Sequence, residues 1–97
     1  MAAPLEFEWD DGKAEANEAK HGVAFAFASR AFLDEDRLEL DASRQHEGER
    51  RSKAVGMIDG RIYTVVFTWR GRVRRLISAR RSNRREEREY GDRSFEA

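Results

Sequence analysis

An Asp-Gly pair between two runs of strand character constrains the fold of this chain more than any other feature. Residues 52–58 and 61–69 flank Asp59-Gly60. A two-residue Asp-Gly loop favours a tight hairpin, because both of its positions accept positive φ angles. The second run consists almost entirely of β-forming residues from Tyr63 onward, which predicts a central strand. Arg70-Gly71 is the next turn and a further strand is predicted over residues 73–79, so this half indicates an antiparallel meander.

The first third of the chain combines one strand signal with two helix signals. Apolar and acidic residues alternate over residues 5–9, which predicts a short strand with one buried face. Asp10 offers an N-cap for a helix over residues 13–20, and Gly22 ends that helix. The strongly apolar segment 24–33 predicts a second helix at the centre of the core.

The remaining segments complete an α+β fold. Residues 38–41 alternate apolar and charged side chains and predict an exposed edge strand, followed by a polar loop over residues 42–49. Ser82 is the predicted cap of a last helix that runs to about Tyr90. The predicted architecture is a mostly antiparallel β-sheet with two N-terminal helices packed on it and a C-terminal helix. We expect a single domain over residues 1–97, with its core at about 5–90 and a frayed tail at 91–97.

Composition excludes several classes of protein. A chain of 97 residues suits one domain. It contains no cysteine, which excludes disulfides, thiol catalysis and cysteine-based zinc sites. No apolar run approaches the ~20 residues of a membrane span, and the first residues lack the basic start and apolar stretch of a secretory signal. We therefore expect a cytoplasmic protein.

The charged residues are distributed unevenly, although the formal net charge is +0. Residues 1–49 carry thirteen acidic and five basic side chains, whereas residues 50–97 carry six acidic and fourteen basic ones. All but one of these fourteen are arginines, whose planar fork of donors fits phosphate and carboxylate groups in two-point contacts. This pattern favours a partner that presents phosphates or carboxylates. The alternative is that the two halves neutralise each other within the fold.

Several short blocks, taken in their order and spacing, carry a family resemblance. They are Phe7-Glu8-Trp9-Asp10, Lys20-His21-Gly22-Val23, His46 to Arg50, Ile77-Ser78-Ala79-Arg80-Arg81 and Asn83-Arg84-Arg85-Glu86, with Lys13, Asn17, Gly56 and Tyr90 at intervals. Over about residues 5–90 this set resembles the BrnT family, the toxins of bacterial type II toxin–antitoxin pairs. One departure is Ala24 and Ala26-Phe27, where such toxins commonly carry Ser or Thr and then Glu. The second helix thereby lacks a side-chain cap, which costs it about 1 kcal/mol.

The resemblance implies a RelE-like fold and an RNA-cleaving activity that arrests growth. It also implies a BrnA-like antitoxin whose ribbon-helix-helix segment binds promoter DNA, so that toxin and antitoxin form an autorepressing hetero-oligomer. RNA cleavage without a metal ion uses the 2′-OH of the substrate as the nucleophile. Such a reaction needs groups that move protons and cations that neutralise charge on the phosphate. The predicted function is therefore a metal-independent endoribonuclease, with no cofactor and no metal site.

Five residues are the predicted catalytic set. His21 ends the first predicted helix beside Lys20, and two interpretations stay open: a general acid–base group, or a structural residue that caps the helix C-terminus or packs partly buried under the sheet. Arg80 and Arg81 stand where the last strand passes into the last helix. Successive strand residues point to opposite faces, so one of the two faces the catalytic surface. Glu86 follows on the last helix. The alternative for the arginines is ion pairing with the acidic first half.

A second group is predicted to bind RNA or its phosphates. It consists of Arg50, Arg74, Arg75, Ser82 and Tyr90. For Tyr90 the competing interpretation is a ring that packs on the sheet with its hydroxyl at the edge. Arg74 and Arg75 form a basic stripe with Arg72 near a turn, and the alternative to guiding RNA is contact with an acidic segment of the antitoxin. His46 lies in the polar loop and ranks below His21 as an acid–base candidate.

A second function also fits the sequence. With two histidines, no cysteine and no unmistakable acid–base pair, the chain is also consistent with a non-catalytic protein-binding module, such as an inactive toxin relic or an adaptor. Direct DNA binding by this chain alone is a weaker option, since no helix-turn-helix or ribbon-helix-helix pattern is visible.

Overall fold

Five strands and three helices form an α+β structure in the computed structural model, which describes residues 5–43 and 50–95. The strands are β1 (Phe7–Glu8), β2 (Leu38–Asp41), β3 (Ser52–Ile58), β4 (Arg61–Arg70) and β5 (Val73–Arg81). The helices are α1 (Asp11–His21), α2 (Phe25–Ala28) and α3 (Arg84–Phe95), and a 3₁₀ segment, Ser29–Leu33, follows α2 directly. None of the helices in these ranges is long and apolar enough to cross a bilayer.

The strands form one sheet in the order β1-β5-β4-β3-β2. Three of its four strand pairs are antiparallel, and β1 runs parallel to β5. β4 occupies the centre and β2 an edge, as predicted. Asp59 and Gly60 join β3 to β4 with φ angles of 49° and 81°, which confirms the tight Asp-Gly hairpin.

The core lies on one face of the sheet. Ala54, Val65 and Ala79 pair across β3, β4 and β5, and their side chains are fully buried on this face. α1 and α2 pack against β5, while the 3₁₀ segment packs against β3 and β4. We call this the core face. The 3₁₀ segment approaches β3 so closely that a Cβ on Gly56 would stand 2.6 Å from the carbonyl oxygen of Ala31.

The predicted second helix is interrupted. Residues 24–33 were expected to form one α-helix, but only Phe25–Ala28 is α-helical and the rest is 3₁₀. Ala24 provides no side-chain cap, and no acidic residue lies in the first turn. The Ser29 hydroxyl donates a hydrogen bond of 2.7 Å to the Ala26 carbonyl oxygen. Such local side-chain bonding competes with the backbone hydrogen bonds of an α-helix, which accounts for the 3₁₀ conformation of residues 29–33.

α1 is fixed at both ends and in its middle. Asp10 accepts a hydrogen bond from the Lys13 backbone N–H, and Gly22 takes the left-handed conformation that ends the helix; both features confirm the prediction. Between them, the Asn17 side chain accepts from the N–H of Ala79 and donates to its carbonyl at 2.8–3.0 Å. Its amide also donates to the Val23 carbonyl. One buried side chain thereby satisfies the edge of β5 and holds α1 against it.

α3 lies on the opposite face of the sheet, against β3. The prediction that Ser82 caps this helix is wrong, because its hydroxyl shares a hydrogen bond with the Thr64 hydroxyl at 2.7 Å. Asn83 takes the capping role: its side chain accepts from the Glu86 N–H, and the Glu86 carboxylate accepts from the Asn83 N–H, both at 2.9 Å. This reciprocal pair is a capping box. The helix continues to Phe95, past its predicted end.

Candidate active site

The sheet face opposite the core, called the groove face from here, carries two adjoining concavities. Their volumes are about 460 and 380 Å³, and Lys53 and Arg80 line both of them. Lys53 lies in β3 and Arg80 in β5, so the intervening strand β4 separates their backbones. The two concavities together are called the groove. Its residues in the described part of the chain are Leu40, Asp41, Ala42, Arg51, Lys53, Val66, Ile77, Ser78, Arg80, Asn83, Arg85, Glu86 and Glu89.

Glu86 joins the two cations of the groove. Both of its carboxylate oxygens bind the Arg80 guanidinium, at 2.7 and 2.9 Å, and one of them also accepts from the Lys53 ammonium at 3.1 Å. The Glu86 side chain is 2% exposed, whereas those of Arg80 and Lys53 are 34% and 25% exposed. The carboxylate is therefore buried beneath two cations that remain open to the groove.

The cations control the ionisation of this cluster. Burial alone would raise the pKa of Glu86, but hydrogen bonds from Arg80, the Asn83 backbone and Lys53 together lower that pKa to about 2. In return, the hydrogen bond to Glu86 raises the pKa of Arg80 against the opposing effect of burial. At neutral pH the cluster therefore contains one carboxylate and two cations, with a net positive charge.

This cluster is suited to binding a phosphate group. The guanidinium of Arg80 has five N–H donors and the ammonium of Lys53 has three, so donors remain after Glu86 is satisfied. Cations that a carboxylate holds in place need little reordering when an anion arrives. The same bonds saturate the Glu86 oxygens, so this residue is placed to position its neighbours rather than to transfer a proton.

The structure brings together two of the five predicted catalytic residues, Arg80 and Glu86. Arg81 pairs with Tyr63 across the strands, which directs it to the core face, and it is exposed. Lys20 and His21 end α1, where Lys20 is exposed and His21 half-buried. α1 joins the core at the edge of β5, and these two side chains are absent from the described lining of the groove.

The predicted RNA-binding arginines lie in three separate environments. Arg50 is exposed, lines a further concavity together with Asp41 at the end of β2, and accepts a hydrogen bond from Thr68 on its carbonyl. Arg75 forms an ion pair with Glu8 of β1. Arg74 lies among aromatic rings on the core face, where burial lowers its pKa.

The other two predicted RNA-binding residues attach α3 to the rest of the fold. Ser82 binds Thr64, as described above. Tyr90 is 7% exposed, and its hydroxyl donates to the Asp34 carboxylate at 2.6 Å. Burial and the Asp34 carboxylate raise the pKa of Tyr90 to about 12. The position of this ring agrees with the packing interpretation, and its role in RNA binding stays a prediction.

Lys53 is the member of the Lys53–Glu86–Arg80 cluster that sequence reasoning missed. Lys53 precedes the buried Ala54 in β3, and successive strand residues point to opposite faces, so the pattern places Lys53 on the face opposite the core. That signal identifies a face but not a partner on another element. His46, the second acid–base candidate, lies outside the described residues. Within those residues, no group of His, Asp and Glu side chains is arranged to hold a metal ion.

Comparison with known proteins agrees with this picture. A family model described as "Ribonuclease toxin, BrnT, of type II toxin-antitoxin system" matches residues 9–86, most of the chain, from Trp9 before α1 to Glu86 in the groove. No curated protein matches the sequence significantly. The matched range includes the strands and helix end that build the Lys53–Glu86–Arg80 cluster. The chain therefore belongs to the BrnT family of ribonuclease toxins of type II toxin–antitoxin systems.

Proposed function

We propose that this chain is a metal-independent endoribonuclease that cleaves RNA in the groove and thereby arrests growth. The observation that carries the proposal is the Lys53–Glu86–Arg80 cluster, in which a buried carboxylate holds two partly exposed cations. Cations fixed in this way stabilise charge that develops on a phosphate during cleavage. Membership of a ribonuclease toxin family supports the same conclusion.

The proposed reaction uses only groups of the substrate and the protein. The 2′-oxygen of one nucleotide attacks the adjacent phosphorus, and the bond from phosphorus to the 5′-oxygen breaks, which leaves a 2′,3′-cyclic phosphate. A base accepts the 2′-OH proton and an acid supplies one to the 5′-oxygen. Arg80 and Lys53 bind the phosphate oxygens, and Glu86 positions both cations. His21, Lys20 and Arg81 stay candidates for the proton transfers and for further phosphate contacts.

The proposed partner is an antitoxin protein, as expected for the toxin of a type II pair. We propose that it is BrnA-like, carries a ribbon-helix-helix segment, and forms with this chain a complex that represses its own promoter. The chain would then contact promoter DNA only through the antitoxin. A cytoplasmic location and a RelE-like fold belong to the same proposal, and the mostly antiparallel sheet with its flanking helices supports the proposed fold.

Inducible expression in a bacterium tests the proposal. Expression of the unaltered chain should arrest growth and deplete RNA, and the purified protein should cleave RNA in the presence of a metal chelator. Arg80→Ala and Lys53→Ala should each relieve the arrest. Arg30→Ala is the matched control, because Arg30 pairs with Asp59 at the surface hairpin, outside the groove. Normal growth at a high yield of folded, unaltered protein would refute the proposal.

A second candidate function is a non-catalytic module that binds the antitoxin. It is favoured by the saturation of the Glu86 oxygens and by the lowered pKa of the Glu86 carboxyl, and the groove residues described include no histidine. A purified chain that binds the antitoxin tightly but leaves RNA intact at every pH would establish this function instead.

A further inference from the structure

A single aromatic ring stands exposed at the far end of the β4–β5 hairpin. Trp69 is 49% exposed and pairs with Arg74 on the core face. Arg70 ends β4 and Arg72 lies in the turn that follows it; both are exposed, and Gly71 between them takes the left-handed conformation. Neither of these two arginines forms an ion pair within the described ranges. The hairpin end therefore combines an open indole ring with an unneutralised basic turn.

The Trp69 ring is held in place from beneath. The Arg74 guanidinium lies 4.3 Å from the centre of the indole ring, and also within 4.9 Å and 5.9 Å of the centres of Phe32 and Phe67. Phe67 meets the indole edge-on, with 5.9 Å between ring centres. A guanidinium packed among three rings fixes one side of the indole by cation–π contacts. The exposed side is thereby pre-organised to receive a flat ligand.

Charge and shape identify that ligand as single-stranded nucleic acid. Residues 69–75 contain four arginines; Arg74 packs beneath the indole and Arg75 pairs with Glu8, which leaves Arg70 and Arg72 for a chain of phosphates. An exposed aromatic ring beside arginines is the usual platform for an unpaired base. A docked protein helix would need a continuous apolar stripe. The exposed large apolar side chains of the described residues belong instead to four separate segments, with Leu5 before β1, Leu33 in the 3₁₀ segment, Met57 in β3 and Trp69 in β4.

We infer that Trp69, with Arg70 and Arg72, forms a second binding site for single-stranded RNA, in which a base stacks on the indole and adjacent phosphates contact the two arginines. This inference rests on the proposed function for the identity of the ligand. Trp69 lies at the opposite end of β5 from Arg80 and on the other face of the sheet, and Arg70 and Arg72 lie beside it at the end of the hairpin. The site contributes to substrate affinity and takes no part in bond breaking.

Fluorescence titration tests the inference directly. The chain has two tryptophans, so Trp9→Phe leaves Trp69 as the sole indole fluorophore. The probe is a 2′-O-methyl RNA hexamer, which lacks the nucleophile and cannot be cleaved by 2′-OH attack. We expect the hexamer to quench Trp69 fluorescence, and Trp69→Ala to weaken its binding about 5- to 150-fold, the range for loss of one stacked base. Trp69→Phe should retain part of the affinity, because a smaller ring still stacks.

Matched controls separate stacking from general effects. Leu33→Ala removes another exposed apolar side chain and should leave the affinity unchanged. Arg70→Ala and Arg72→Ala should each weaken the salt dependence of binding by about one phosphate contact. Absence of quenching together with unchanged affinity in Trp69→Ala would overturn the inference. Loss of antitoxin binding alone in that variant would also overturn it, because the surface would then serve a protein.

The binding test of the second site and the cleavage test of the groove can fail separately. If Arg80→Ala abolishes cleavage while Trp69→Ala binds the hexamer normally, the second site is refuted and the nuclease proposal stands. If the hexamer quenches Trp69 but Arg80→Ala cleaves RNA at the normal rate, the second site stands and the groove proposal fails.

Discussion

Replacement of Glu86 by glutamine removes the one negative charge that Lys53 and Arg80 share. The fold lowers the pKa of this carboxyl from 4.5 to about 2, and the side chain is 2% exposed. At ~1.36 kcal/mol per pKa unit, the shift corresponds to about 3 kcal/mol of folding free energy. Because the folded-state pKa is depressed, this stability is present above about pH 5 and is lost as the pH falls toward 2. Glu86→Gln should therefore cost about 3 kcal/mol at pH 7.

Urea denaturation at a series of pH values measures this effect. The free energy of unfolding of the unaltered chain should fall between pH 5 and pH 2, whereas that of Glu86→Gln should change much less. The two curves should then converge at the acidic end. Glu89→Gln is the matched control, because Glu89 pairs with Arg85 on the helix surface and such pairs contribute about 0.3–0.5 kcal/mol. A difference between the Glu86→Gln variant and the unaltered chain that stays constant from pH 7 to pH 3 would refute the reasoning.

Three further substitutions test the packing that supports the groove. Asn17→Ala leaves the N–H and carbonyl of Ala79 without their side-chain partner, so we expect a loss of about 3 kcal/mol and a fall in Tm of at least ~10 °C by calorimetry. Tyr90→Phe removes the hydrogen bond to Asp34 and should cost about 2 kcal/mol at neutral pH; equal stability of the two proteins in denaturant would contradict this role. Gly56→Ala forces a Cβ against a backbone oxygen 2.6 Å away and should cost about 1–3 kcal/mol, which thermal unfolding would detect; an unchanged Tm would mean that the 3₁₀ segment moves aside easily.

Local chemistry explains which parts of the fold were predictable. The turn at Asp59-Gly60 and the ends of α1 at Asp10 and Gly22 depend on backbone preferences of single residues, which can be read directly from the sequence. The N-cap of α3 is harder to predict from the sequence, because Ser82 and Asn83 are both residue types that favour this position. Asn83 caps the helix because the Ser82 hydroxyl is already hydrogen-bonded to Thr64 of β4.

The composition of the groove depended on contacts that a linear pattern does not contain. Strand alternation places Arg80 and Arg81 on opposite faces, but only the tertiary fold shows that Arg80 shares its face with α3. The partnership of Lys53 with Glu86 joins residues 33 positions apart. His21 is predicted to be catalytic from its type and from the resemblance, but it ends α1 and is absent from the described lining of the groove. Its catalytic role stays a prediction.

The amide of Asn17 also has a consequence for self-association. A strand whose outer N–H and carbonyl groups are unpaired offers a template to any extended chain that collides with it. At Ala79 both groups are already occupied by one side chain, and α1 stands where an incoming strand would have to lie. Release of this helix would therefore expose unpaired backbone groups along β5. We expect Asn17 variants to aggregate at concentrations at which the unaltered protein remains monodisperse.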